Sequence, residues 1–105
     1  MSTPGLRRIA VAGAGTAGLT AALAFAEDGA AVEVFERSPV MRDIGAGLQL
    51  SPNATRILGR LGVLDRLEGA VRPPAVLLRR AASLAEIGRV PLGPLAEARW
   101  QAPYL

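Results

Sequence analysis

The sequence contains no cysteine, no histidine and no lysine, and only four aromatic residues. Without cysteine there is no disulfide framework and no thiolate metal site. Without histidine the commonest general base and metal ligand is missing. No other residue stands out as a catalytic acid, base or nucleophile, so no catalytic and no metal-ligating residue is assigned. All twelve cations are arginine and the net charge is +3. The arginines are scattered from Arg7 to Arg99, adjacent only at Arg7-Arg8 and Arg79-Arg80. A nucleic-acid-binding surface gathers its cations on one face and interleaves aromatics. Neither feature is present, so these arginines read as solvated surface and no nucleic-acid partner is expected.

What is present is concentrated between Arg8 and Glu36. An apolar run, Ile9 to Ala12, meets Gly13-Ala14-Gly15-Thr16-Ala17-Gly18. An alanine-rich helical pattern follows to about Asp28, then Gly29, then a second apolar run from Ala31 to Phe35 that ends in Glu36. Strand, glycine turn, helix, strand and acid is the order of a dinucleotide-binding βαβ unit. Each glycine has its own task there. Gly13 allows the tight turn off the strand, Gly15 lets the backbone approach a pyrophosphate, and Gly18 lets the helix pack closely on the sheet. The helix N-terminus offers free N–H groups and the positive end of its dipole to phosphates. Glu36 lies 23 residues beyond Gly13, near the ~20 expected of a carboxylate that binds a ribose diol.

Two other readings compete for this stretch. Residues 9–26 carry no charge, which is long enough for a membrane span. Arg7-Arg8 before an apolar core, with Ala24-Phe25-Ala26 as a cleavage site, is the layout of a secretory signal. Three glycines in the first half weaken a helix through either core, and neither reading accounts for a strand ending in Glu36. The expectation is therefore no membrane partner and a cytoplasmic location.

The 105 residues allow one domain at most, half of them hydrophobic, and so small a chain buries a modest share of its surface. The βαβ reading predicts a three-layer α/β start, with parallel strands at about 7–12 and 31–36 and the helix at about 16–28. Pro39 ends the second strand, and Gly45-Ala46-Gly47 marks a loop suited to close approach by a ligand. Leu48-Gln49-Leu50 alternates like a short strand. Ser51-Pro52 starts a helix, serine as N-cap and proline in the first turn. That helix runs to Leu61 with Ile57, Leu58 and Leu61 on one face, and Gly62 stops it. A helical turn follows at 63–67. Strands at about 75–80 and 85–90 pair with each other, and from Pro91 the pattern decays into proline-rich loop.

Taken together, GAGTAG with VEVFER, RDIGAGLQLSPNATRIL followed by LG, and VPLG with APYL resemble the N-terminal part of the group A flavoprotein aromatic hydroxylases. The salicylate and hydroxynicotinate hydroxylase branch is the nearest in pattern. The resemblance covers nearly the whole chain and is most specific at GAGLQLSPN. It implies an incomplete Rossmann-like FAD-binding domain over residues 1–105, about the first quarter of such an enzyme, as a fragment or truncated reading frame. FAD is then the resident cofactor, NADH or NADPH a transient co-substrate, and a small aromatic acid the substrate of the full-length family. By the resemblance, Gly13, Gly15, Thr16, Ala17 and Gly18 surround the pyrophosphate and Glu36 the adenosine ribose. Arg37, Arg42, Gly47, Leu48 and Gln49 lie along the flavin. Gln49 stands where the hydroxynicotinate branch carries a catalytic histidine, a departure from its pattern. The family's later cofactor segments and substrate sheet lie beyond this sequence, so the isolated chain is expected to be inactive. Two alternatives remain open at this point, a nicotinamide-dependent reductase with the same βαβ unit and a non-catalytic remnant.

Overall fold

A computed structural model of the chain describes residues 7–41 and 47–105. They divide into two compact units, one ending at residue 46 and the other starting at Gly47.

The first unit is β1 (Arg8–Ala12), α1 (Thr16–Glu27) and β2 (Ala31–Phe35). The two strands pair in parallel, with Arg8 opposite Ala31 and Ala12 opposite Phe35. The βαβ expectation is met in element type, order and near-identical bounds. Along β1 the side chains alternate, Ile9 and Val11 half-buried and Arg8, Ala10 and Ala12 exposed. This period of two turns the branched residues to one face. Helix α1 packs on both strands and ends where Gly29 adopts φ +80°, a conformation glycine enters without steric cost. Among the described residues this unit has two layers, sheet and helix, instead of the three expected.

The second unit contains α2 (Pro52–Arg60), a 3-10 turn (Leu64–Arg66), β3 (Ala75–Arg79), β4 (Glu86–Pro91) and α3 (Pro94–Trp100). Strands β3 and β4 form the expected antiparallel pair, Ala75 opposite Pro91 and Leu77 opposite Arg89, with an irregularity between Leu78 and Arg79. At the start of α2, Ser51 has the extended dihedrals of an N-cap and Pro52 stands in the first turn. The serine hydroxyl, however, donates to the Asn53 side chain and caps no helix amide.

Two expectations change here. Leu48–Leu50 is not a strand; Leu50 alone exchanges backbone hydrogen bonds with Leu105, at 2.7 and 3.0 Å. Residues after Pro91 are not all loop. Pro94 opens α3 in the first-turn position where proline is tolerated, and Leu95 to Arg99 are good helix formers. On α2 Leu58 is half-buried, as is Leu61 at its C-cap, and Ile57 is 43% exposed. The most enclosed side chain is Thr55, fully buried, whose hydroxyl donates to the Pro103 carbonyl at 2.7 Å. That bond satisfies both partners where water cannot reach them.

Little apolar surface is enclosed. Among the described residues, Ala102 and Pro103 are the buried apolar residues, while Phe35, Leu78, Ile87 and Leu95 are more than half exposed. Among them, too, no helix is long and apolar enough to cross a membrane.

Candidate functional site

The glycine turn between β1 and α1 is built by two close constraints. Gly13 sits at φ +100°, where a side chain would be strained. Its amide still continues the sheet, donating to the Phe35 carbonyl at 2.7 Å. Gly18 lies in the first turn of α1 with its Cα against the glycine turn. A Cβ there would fall 2.0 Å from the Gly13 carbonyl oxygen and 3.5 Å from Val11 Cγ1. The first and third glycines therefore fold onto one another. Gly15 is different: its φ is −75° and a Cβ would meet nothing within 4 Å. No protein contact requires a glycine there, and the open space beside it is the room a ligand's backbone approach would use.

Helix α1 begins directly after Gly15. No side chain caps it, and its first turn, Thr16, Ala17 and Gly18, holds no acidic residue. The amides of a first helical turn lack intrahelical acceptors, so this end presents N–H donors and the positive end of the helix dipole. The Thr20 hydroxyl turns back to the Thr16 carbonyl at 2.7 Å and leaves those amides uncapped.

Glu36 closes the site from the end of β2. One carboxylate oxygen accepts the Ala14 amide at 2.7 Å and the other accepts the Ser38 amide at 2.8 Å. The Ser38 amide first, then the Ala14 amide, hold this carboxyl below the ordinary glutamate value of 4.5, opposed by desolvation and aided last by the Arg37 amide. The side chain stays exposed, so each oxygen keeps a lone pair toward solvent. An exposed ionised acceptor beside an uncapped helix N-terminus suits a molecule that offers hydroxyls a short distance from an anionic group.

Comparison with known proteins fits this geometry. The chain is 48% identical over 98 residues to a 3-amino-4-hydroxybenzoate 2-monooxygenase of Streptomyces cremeus, covering 92% of this chain and 25% of that protein. It is 38% identical over 97 residues to a 3-hydroxybenzoate 6-hydroxylase of Polaromonas naphthalenivorans, covering 91% and 24%. Among solved structures, Klebsiella pneumoniae HpxO complexed with FAD and uric acid superposes with a TM-score of 0.81 at 25% identity, over 97% of this chain and 25% of that one. The chain is homologous to FAD-dependent aromatic hydroxylases. A 2-methyl-3-hydroxypyridine-5-carboxylic acid oxygenase gives a TM-score of 0.77 at 34% identity, over 95% of this chain and 25% of that one. No family model matches the chain. The chain spans about a quarter of the length of the hydroxylases it matches.

Of the residues singled out from sequence, Gly13, Gly15, Thr16, Ala17, Gly18 and Glu36 come together at this one turn. Arg37 is exposed beside Glu36, with no side-chain hydrogen bond or ion pair among the described residues. Gly47, Leu48 and Gln49 lie in the second unit, exposed, in irregular backbone leading to Leu50. Arg42 lies outside the described residues. Sequence reasoning missed the Ala14 and Ser38 amides as partners of Glu36. Backbone donors leave no mark in residue identity, although a carboxylate at a strand end facing a glycine turn was the available clue.

Proposed function

We propose that this chain supplies the adenosine-diphosphate side of an FAD site in an NAD(P)H-dependent monooxygenase that hydroxylates a small aromatic acid in the cytoplasm. The observation that carries the reading is the Glu36 carboxylate, drawn to 2.7 Å from the Ala14 amide at the rim of the glycine turn. In this reading the first-turn amides of Thr16, Ala17 and Gly18 meet the diphosphate, Gly13 and Gly15 shape the turn, and Glu36 accepts the ribose hydroxyls. Arg37, Arg42, Gly47, Leu48 and Gln49 meet the flavin side. FAD supplies the redox chemistry and the reaction with dioxygen, while protein supplies orientation and exclusion of water. The names of the relatives, with hydroxybenzoates as their ring substrates, support an aromatic acid as the substrate class.

Hydroxylation is assigned to a whole protein of the relatives' length. A helix end contributes only ~0.3–1 kcal/mol per favourable charge, so residues 1–105 alone should hold FAD weakly and couple no hydroxylation. The test is to titrate the chain with FAD, follow flavin absorbance, and repeat with Glu36→Ala. Weak saturable binding that the substitution weakens further supports the reading. Equal affinity in both chains removes Glu36 from the site. Product formation from candidate aromatic acids with NADH or NADPH would overturn the division of labour.

A further inference from the structure

We propose that Glu36 is also a positioning residue for the glycine turn, fastening its backbone to the end of β2 independently of any contact with a ribose. The inference deepens the nucleotide reading and rests on it for its consequence, but the fastening itself is a property of the ligand-free chain. Sheet pairing between β1 and β2 ends at the Gly13 amide, which reaches the Phe35 carbonyl. Gly13 then takes φ +100° and the chain turns away from the ladder. The next amide, Ala14, has the Glu36 carboxylate for its acceptor. The second carboxylate oxygen is fixed by the Ser38 amide, so the side chain is anchored at the β2 end and spans to the turn. Ser38 is itself set in place, its hydroxyl donating to the Val40 carbonyl at 2.7 Å. One ionised side chain thus ties the end of β2 to a turn 22 residues earlier in the sequence.

The chemistry requires a carboxylate of this length. The Ala14 and Ser38 amides reach different oxygens of the carboxylate, and glutamine would keep one of those acceptors while turning an NH2 toward the other donor. Aspartate is one methylene too short to serve Ala14 while staying on Ser38. The fastening holds the turn in the shape that leaves the first-turn amides of α1 uncapped and the space beside Gly15 open. Its loss should therefore weaken capture of a diphosphate even when no ribose hydroxyl is offered.

The experiment compares the chain with Glu36→Gln, Ser38→Pro and Ser38→Ala. Ser38→Pro removes the Ser38 amide donor and leaves the carboxylate, whereas Ser38→Ala removes only the hydroxyl and keeps that donor. Amide hydrogen exchange at Gly13 and Ala14 is measured without ligand. Exchange at Ala14 should quicken about tenfold in Glu36→Gln, as for loss of a hydrogen bond to a charged acceptor, and by less in Ser38→Pro. Ser38→Ala, which keeps the amide and loses only the hydroxyl bond to Val40, should quicken it least of the three. ADP and 2′,3′-dideoxy-ADP are then titrated into each chain. Glu36→Gln should weaken both ligands, the dideoxy compound at least about threefold. Unchanged exchange at Ala14 in both Glu36→Gln and Ser38→Pro overturns the proposal. So does a dideoxy affinity that is unchanged or improved in Glu36→Gln, since a pure ribose ligand would give the first and simple charge repulsion the second. If the parent binds neither ADP nor its dideoxy form, the nucleotide reading fails, and the ligand-free exchange rates still decide the fastening.

Discussion

Two glycines three residues apart should respond oppositely to the same added methyl group. In Gly18→Ala, the new Cβ would lie 2.0 Å from the Gly13 carbonyl oxygen. That oxygen is backbone, held by a glycine at φ +100° whose amide is bonded to Phe35. It cannot swing aside as a side-chain tip would, so α1 must move off the sheet by about an ångström, and overpacking of this kind costs about 1–3 kcal/mol. Alanine returns roughly 1 kcal/mol of helix propensity. With the clash at the upper end of its range, the net loss should be about 2 kcal/mol. In Gly15→Ala, the Cβ meets nothing within 4 Å and the backbone is already extended. Stability should be unchanged or rise by about 0.4–1 kcal/mol through the stiffer unfolded chain. Urea unfolding followed by helical circular dichroism reads both. The same Gly15 methyl should obstruct a diphosphate, so Gly15→Ala keeps the fold and loses nucleotide affinity. Equal stability of Gly18→Ala and the parent would refute the packing argument, and undiminished nucleotide affinity in Gly15→Ala would refute the role given to the open space.

Other outcomes follow from the second unit and from charge. Thr55→Val keeps the shape of a fully buried side chain but strands the Pro103 carbonyl, and should cost about 1–3 kcal/mol in urea unfolding; Thr55→Ser should recover most of that loss. The Glu36 carboxyl titrates below 4.5 in the folded chain. Its contribution to stability is therefore complete above that pH and is lost as pH falls through the lower folded value, so parent and Glu36→Gln should converge in stability in acid and separate toward neutrality. The Arg72–Glu97 ion pair, 3.2 Å across an exposed surface, should matter little; Arg72→Ala should change stability by less than about 1 kcal/mol. Phe35, Leu78, Ile87 and Leu95, all more than half exposed, should make the chain bind the dye ANS and associate at high concentration.

The βαβ unit was legible because several local signals agree on it. Branched residues alternate in Ile9 and Val11, glycines are spaced for a turn, alanines fill the helix and Glu36 closes the second strand. The β3–β4 pair was legible for a similar reason, as two short runs of strand-forming residues close in sequence. Helix α3 was not, because Pro91 and Pro94 suggest loop, and only the first-turn tolerance of proline separates a break from a start. Leu48–Leu50 has the alternation of a strand but gains a single backbone partner, Leu105, 55 residues away. Its fate is set by a long-range pairing that periodicity does not encode. Thr55 escaped notice for a related reason. A threonine amid Asn53, Ala54 and Arg56 reads as a solvated helix position, and its burial depends on the Pro103 carbonyl reaching it from the end of the described chain. At the candidate site, glycine and glutamate positions were visible as residue types, while the amides of Ala14 and Ser38 that organise them were not.

The central claim is that the turn from Gly13 to Gly18, with Glu36, receives the adenosine-diphosphate half of FAD. The most direct measurement is an amide nuclear magnetic resonance titration of the isotope-labelled chain with ADP and then FAD. The account predicts saturable shifts at Gly15, Thr16, Ala17 and Gly18 and at the Ala14 and Ser38 amides that report on Glu36, with the β3–β4 pair unmoved by ADP. Shifts spread evenly over the chain, or confined to residues outside that turn, would contradict it.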